Sequence, residues 1–291
     1  MSAKARLCRR AVGLLACLVV SSPAMAVVLG RTDISDFSNP ASNWYGMDWS
    51  YVGRNGVGGA VAVDDYWVLT ARHLGGSVGG TVSFGGTNYT IAEVKYAPTD
   101  SGQTLPPDLM LLRVTQKLPG HYDLYTGNLS SMTNKEVIVV GYGYDGTSTD
   151  GGTKYSWSTG TATVERWGTN KITGNTRVTG SVKETPTYNS RCLEMEFTLG
   201  NTQYEAGMAD RDSGGGIFVK VSDGAGGYKW VLAGINAYVD NQVTGVDKNW
   251  AVAIPSYYNW ITTTIPEPAT FSVLLGGAAL LAARRRRRKA A

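Results

Sequence analysis

Short apolar stretches with alternating polar positions recur along the chain, and turns rich in Gly, Asn, Asp, Ser and Thr separate them. Stretches of this length between turn residues are typical of β-strands. Only residues 255–261 have a helical period, so we expect an all-β body, either a sandwich or a pair of barrels, that ends in one short helix. The predicted strands cover residues 59–63, 66–70, 80–84, 89–96, 109–114, 136–142, 158–166, 175–182, 191–198, 216–221, 230–238 and 250–254.

Composition excludes two other classes of protein. Gly accounts for 37 of 291 residues but shows no G-X-Y period, which excludes collagen. Hydrophobic residues make up 43% of the chain, too many for a disordered protein. Residues 27–265 are long enough to bury one sizeable core, and all-β chains of this length often form a single domain.

The first 26 residues have the pattern of a signal peptide. A basic start around Arg9 precedes a short apolar run, and Ala24-Met25-Ala26 matches an A-x-A cleavage site. The apolar run is too short to remain as a membrane-spanning helix. We therefore expect an exported protein whose body begins at Val27.

Residues 266–291 combine three parts in a fixed order: the motif Pro266-Glu267-Pro268, an apolar stretch over 269–283 and a basic cluster over 284–289. This order resembles the PEP-CTERM sorting signal of exopolysaccharide-producing Gram-negative bacteria, which an exosortase recognises. The resemblance implies processing by signal peptidase and exosortase and a transient inner-membrane contact through 269–283. It also implies a final location at the cell surface or in the extracellular matrix.

The net charge of +4 comes from these two ends. Ten of the 27 basic residues lie in them, whereas all 23 acidic residues lie between Val27 and Pro268, so residues 27–268 carry a net charge of −6. An acidic body is not suited to bind nucleic acid. Cys192 is the single cysteine left in the body, which excludes an internal disulfide. The sequence has neither a phosphate-binding Gly loop nor a Cys/His cluster, so we expect no cofactor and no metal. We also expect a monomer.

Three segments carry reactive side chains beside predicted strands. His73 ends WVLTARH, Asp108 opens DLMLLRV, and Ser213 lies in the Gly-rich turn DSGGG. A neutral His can take the proton of a serine hydroxyl near pH 7, and a buried carboxylate can hold the imidazole in the required tautomer. Each segment alone is more often structural than catalytic. Together, in this order, they indicate a nucleophilic serine.

The same segments resemble those of the trypsin/chymotrypsin-like serine peptidases, which read WVLTAAH, DIALLRL and GDSGGP. Residues 233–235 and 254–261 extend the resemblance to the end of the body. It implies a double six-stranded β-barrel with the site in the cleft between the barrels. It also implies a protein or peptide substrate, with His73 as general base and acid, Asp108 as its orienter and Ser213 as nucleophile.

Two residues depart from the family pattern. Arg211 stands where the family usually has Gly, at a position whose N–H forms the oxyanion hole together with that of Ser213, and a non-Gly residue there can strain or flip the peptide. Ala237 stands where the family commonly has a Ser bonded to the catalytic Asp. The alternative interpretation is therefore a catalytically weak or inactive adhesive or matrix-binding protein on this fold. A third is a β-rich carbohydrate-binding protein.

The resemblance also implies a specificity pocket with Gly207 at its base and Tyr238 and Val239 on its wall. The base has no acidic residue, so we expect specificity for small or medium apolar side chains instead of Arg or Lys. Alternatively, Asp210 faces a basic group near the mouth of the pocket.

Activation is the last implied feature. Cleavage after Ala26 would expose Val27, whose start Val-Val-Leu-Gly faintly resembles the IVGG start of family members. Such a new terminus pairs with the acid before the nucleophile, here Asp212. Export itself would then activate the enzyme.

Overall fold

A computed structural model describes residues 27–30, 46–157, 164–182, 185–240 and 245–265. Strands dominate these residues, and one α-helix, α1, spans Ile254–Thr264. In chain order the strands are β1 Val28–Leu29, β2 Val52–Asn55, β3 Gly58–Asp64, β4 Trp67–Thr70, β5 Thr81–Phe84, β6 Thr87–Tyr96, β7 Met110–Val114, β8 Glu136–Gly141, β9 Gly146–Thr149, β10 Lys154–Trp157, β11 Arg166–Val182, β12 Thr185–Glu196, β13 Ala206–Gly207, β14 Gly216–Ser222, β15 Tyr228–Asp240 and β16 Lys248–Ala253.

The first barrel closes in the order β2-β3-β4-β7-β6-β5. Successive side chains of a strand point to opposite faces, and here each face is buried. Val68 and Met110 belong to an apolar cluster of this barrel, whereas Leu69 and Leu111 belong to a larger cluster shared with the second barrel. The continuous apolar runs of β4 and β7 thus reflect burial on both faces.

The second barrel closes in the order β11-β12-β16-β15-β14-β8. Strand β8 repeats the division seen in the first barrel: Val137 and Val139 join its own cluster, and Ile138 and Val140 join the shared cluster. The shared cluster fixes the two barrels against each other. The predicted double six-stranded barrel is confirmed.

The predicted helix is also confirmed, and it is longer than expected. A proline in its first turn suits the helix start, where the missing N–H costs no hydrogen bond. Ile254, Tyr257 and Ile261 are buried on one face. This face anchors the end of the described chain on the barrels.

The predicted strand over 158–166 is wrong in its described part. Only Arg166 belongs to a strand, since β11 begins where pairing with Gly141 of β8 begins, and residues 158–163 lie outside the described part. The polar first half of β11 was not predicted. Thr169 and Asn170 of this half are buried. The Thr169 hydroxyl donates a hydrogen bond to the Thr202 hydroxyl at 2.8 Å, and the Asn170 amide donates one to the Ala206 carbonyl at 2.8 Å.

Two short pairings lie beside the second barrel. Strands β9 and β10 form a hairpin, and β1 pairs with β13. Among the described residues, no helix is long and apolar enough to cross a membrane. The predicted signal peptide, residues 1–26, and the predicted sorting tail with Pro266, Glu267 and Pro268 lie outside the described residues.

Candidate active site

His73 and Asp108 lie at the same edge of the first barrel. Strands β4 and β7 are antiparallel neighbours with Thr70 opposite Met110, and His73 follows β4 while Asp108 precedes β7. Two residues 35 positions apart in the sequence therefore meet.

The Asp108 carboxylate is fully buried and holds His73 at two points. Its Oδ2 lies 2.6 Å from His73 Nδ1, and its Oδ1 accepts the His73 backbone N–H at 2.8 Å. An ionised carboxylate can only accept hydrogen bonds, so Nδ1 carries the proton and the lone pair is on Nε2. The imidazole, 26% exposed, is thus oriented to act as a base.

A hydrogen-bonded chain links Asp108 to the second barrel. The Asp108 backbone N–H donates to Ser190 Oγ at 2.9 Å, and Ser190 Oγ lies 2.9 Å from the Tyr238 hydroxyl. The carboxylate itself accepts hydrogen bonds from His73, and Ala237 has no hydroxyl to donate another. Nothing in the sequence around Ser190 distinguishes it from an ordinary strand residue.

Ser213 lies in a turn that is bonded to both barrels. Its carbonyl accepts the N–H of Gly59 from β3 at 2.8 Å, and the N–H of Gly214 donates to the carbonyl of Asn236 in β15 at 2.8 Å. Gly214 has φ +82°, and an added Cβ there would lie 2.1 Å from the Gly59 carbonyl oxygen. Glycines therefore permit the close approach that places Ser213 at the interface of the barrels.

Ser213 and His73 line one cavity of about 330 Å³. Within the described part of the chain, no hydrogen bond joins the Ser213 hydroxyl to the imidazole. Catalytic hydrogen bonds are often long or poorly aligned until a substrate binds.

Arg211 has a φ of +74°, a backbone conformation that glycine adopts most readily. Its guanidinium carbon lies 4.5 Å from the centroid of the Tyr144 ring, and the Tyr144 backbone N–H donates to the Asp210 carbonyl at 3.0 Å. Neither the N–H of Arg211 nor that of Ser213 has an acceptor among the described residues. Ser213 lines the cavity, whereas Arg211 is not among its described lining residues.

Asp212 is buried between three N–H donors. Its Oδ1 accepts from Gly143 at 2.6 Å and its Oδ2 from Ala209 at 2.7 Å, and the backbone N–H of Val27 also bonds to the carboxylate. Burial raises the pKa of Asp212 to about 7, against the effect of these donors. An added Cβ at Gly143 would lie 2.6 Å from this carboxylate, so glycine is required there.

The family model described as Trypsin matches residues 41–261. The chain belongs to the trypsin family of serine proteases. Among solved structures, it is similar to neuropsin, a serine protease of mouse brain, with 18% identity over 75% of this chain and 96% of that chain and a TM-score of 0.49. Human heparin binding protein is 16% identical over 76% of this chain and 94% of that chain, also with a TM-score of 0.49. The comparison with curated proteins gives no match.

In this trypsin-family chain, the cavity beside Ser213 has apolar as well as polar lining residues. Trp157, Met208 and Val239 are among the apolar ones. Tyr238 also lies in the wall, next to Val239, and exposed Asp210 lies at the rim.

The assignment of Gly207 to the pocket base needs correction. Gly207 pairs with Val28 in the β1–β13 ladder and is not among the described residues that line the cavity. An added Cβ at Gly207 would lie 2.4 Å from the ring of Tyr155, so this ring fills the space. Tyr155 comes from a hairpin that the sequence did not predict.

Outside the proposed triad, the described residues contain no group of three or more His, Cys, Asp or Glu side chains that could hold a metal ion. Cys192 is buried, and burial raises the pKa of its thiol well above the ordinary value.

Proposed function

We propose that this trypsin-family protein is a serine endopeptidase that cleaves peptide bonds through an acyl-enzyme. The observation that carries the proposal is the buried Asp108 carboxylate bonded to His73 at the edge of the cavity that contains Ser213. This arrangement places an oriented imidazole and a serine hydroxyl on the same cavity.

In the proposed mechanism, Ser213 Oγ attacks the carbonyl carbon of the scissile bond while His73 Nε2 takes the hydroxyl proton. Asp108 stabilises the imidazolium that forms. His73 then gives its proton to the leaving amine, and the acyl group stays on Ser213 until water, activated by the same imidazole, releases it. The N–H groups of Arg211 and Ser213 would bind the negative oxygen of the tetrahedral intermediate.

We infer that the amino terminus at Val27 completes this site. The Val27 nitrogen is buried and already donates to Asp212. Cleavage after Ala26 would turn this amide into an ammonium group, and the neutral hydrogen bond would become an ion pair. A buried carboxylate without a cation is costly, so the new terminus would hold Asp212 ionised and fix the turn before Ser213.

The cellular location of the protein is a further part of the proposal. The terminal segments support export and transient anchoring in the inner membrane of a Gram-negative bacterium, followed by release to the surface or matrix. Proteins and peptides outside the cytoplasm would then be the substrates.

A peptide library tests the proposal. The chain beginning at Val27 should cleave library peptides, and Ser213→Ala with an unchanged thermal unfolding curve should not. The alternative, an inactive matrix-binding protein on the same fold, predicts no cleavage by either folded protein, and that outcome would defeat the peptidase assignment.

A further inference from the structure

We propose that Tyr155 of β10 sets the substrate specificity, because its ring fills the space beside Gly207 and its hydroxyl contacts Met208, which lines the cavity beside Ser213. A ring in this place would restrict the cavity to a small apolar side chain. The side chain concerned is that of the residue whose carbonyl Ser213 would attack, called P1. This inference rests on the proposed peptidase function and names its substrate class.

The Tyr155 ring occupies the space next to the strand that leads to the nucleophile. The missing side chain of Gly207 faces the ring, and Met208, which follows Gly207, lines the cavity. Tyr155 is 3% exposed and is not among the described residues that line the cavity, so its ring lies in the interior beside Met208.

Hydrogen bonds fix the ring in this position. The Tyr155 hydroxyl lies 2.6 Å from the Met208 carbonyl oxygen and 2.6 Å from Asn249 Oδ1, which also accepts the Met208 N–H at 2.7 Å. At the other end of the residue, the Tyr155 backbone N–H donates to Asp247 Oδ2 at 2.9 Å. Burial raises the pKa of this hydroxyl, so it stays a neutral donor.

Aromatic neighbours support the ring from behind. The Tyr155 centroid lies 4.9 Å from that of Phe197 and 5.9 Å from that of Trp157. Phe197 is fully buried, whereas Trp157 also lines the cavity. The ring is therefore packed as a core residue and cannot swing aside without breaking this cluster.

The cavity in front of this barrier favours uncharged, small side chains. Met208 and Trp157 contribute apolar side chains to its lining, and Val239 adds a branched one. The three N–H donors already occupy the Asp212 carboxylate, and Asp210 is exposed at the rim, so neither provides a buried partner for a P1 Lys or Arg. Ala or Val at P1 fits this description better than Phe or Leu.

The test uses peptides that differ only at P1, with Ala, Val, Leu or Phe there. For the chain beginning at Val27, kcat/KM should be at least about tenfold higher for Ala than for Phe. Tyr155→Ala should shift this ratio at least about tenfold toward Phe. Tyr155→Phe keeps the ring and should keep the ratio, and Tyr155→Leu, which retains an apolar core contact, should give an intermediate ratio. The ratio does not depend on the folded fraction of a variant.

Binding to Ser213→Ala separates this inference from the proposed function. Product-like peptides ending in Ala should bind more tightly than those ending in Phe, and adding Tyr155→Ala should reverse the order. A preference for Phe in the unaltered pocket, a ratio unchanged in Tyr155→Ala, or no binding of any peptide would overturn the inference. Absence of hydrolysis by every Ser213 form would defeat the peptidase assignment, and the binding series would still decide the role of Tyr155.

Discussion

The two parts of the proposed triad, the His73–Asp108 pair and Ser213, differ in the hydrogen bonds that join them to the rest of the site. His73 and Asp108 come from neighbouring strands of one barrel and are joined by two hydrogen bonds, one to the ring and one to the backbone. Ser213 lies in a turn supported from several distant parts of the chain, and it makes no hydrogen bond to His73 within the described residues. The base is therefore built into the barrel, whereas the nucleophile depends on its surroundings.

The two residues before Ser213, Arg211 and Asp212, are in unfavourable environments. Among the described residues, Asp212 is buried with hydrogen bonds but without an ion-pair partner, and Arg211 holds a positive φ that glycine adopts more readily. Regulation of activity would therefore act on the nucleophile half and leave the His73–Asp108 pair unchanged.

The largest loss of kcat/KM should come from a change in the His73–Asp108 pair. Asp108→Asn should lower kcat/KM by about 10⁴-fold, because the amide would favour the wrong imidazole tautomer. Asp123→Asn, which removes an exposed acid paired with Lys229, is the matched control and should keep full activity. A loss below about tenfold for Asp108→Asn would mean that the two halves do not differ as described.

The next effect concerns the amino terminus. A chain that retains Ala26 should lose about 10²–10³-fold in kcat/KM relative to a chain beginning at Val27, the cost of a misplaced oxyanion donor. In the longer chain, Asp212 with its pKa of about 7 is protonated below that pH and ionised above it. The gap between the two chains should therefore be widest near pH 6 and narrower near pH 8. Equal activities at pH 6 would exclude a role for this terminus.

A smaller effect is expected at Arg211. Arg211→Gly removes about 1 kcal/mol of backbone strain but also the contact with Tyr144, so kcat/KM should change by less than about fivefold. Tyr144→Ala should lower the rate in the Arg211 protein and have little further effect in the Arg211→Gly protein. A gain of about 100-fold or more on Arg211→Gly would instead show that Arg211 suppresses the oxyanion hole.

The smallest effect on activity, with a clear effect on stability, is expected at Glu165. Its Oε1 is buried without a hydrogen-bond partner, and burial raises its pKa to about 8. The folded protein therefore binds a proton that the unfolded chain releases near pH 4.5, and stability falls as pH rises toward 8. Glu165→Gln should remove up to about 1.4 kcal/mol per pH unit of this dependence.

Unfolding midpoints at pH 6 and pH 8 measure this effect. Glu136→Gln, at an exposed position of β8, is the control and should leave the pH dependence unchanged. If Glu165→Gln also leaves it unchanged, the buried carboxyl does not titrate in this range.

The sequence predicted the site best where a candidate residue directly adjoins one continuous apolar strand. His73 and Asp108 adjoin continuous apolar runs, and both runs proved to be strands buried on two faces. Residues such as Thr169 and Asn170 concealed the first half of β11, because their burial depends on partners from a distant turn. The alternation that predicts strands cannot reveal such pairing.

The pocket was less predictable than the proposed triad. Its supposed base, Gly207, is covered by Tyr155, which lies about 50 positions earlier in the sequence and has no motif around it. Likewise, the Ser190 hydroxyl contacts the Asp108 backbone N–H and the Tyr238 hydroxyl, both distant in the sequence. Contacts between distant segments set both features, so only the folded chain reveals them.

Reaction with a fluorophosphonate, followed by intact mass and peptide mapping, tests the central claim most directly. The chain beginning at Val27 should gain one phosphonyl group on Ser213 with loss of fluoride, and His73→Ala and Ser213→Ala should remain unmodified. The chain that retains Ala26 should react about 10²–10³-fold more slowly near pH 6. A folded chain beginning at Val27 that stays unmodified, or that is modified elsewhere than Ser213, would contradict the account.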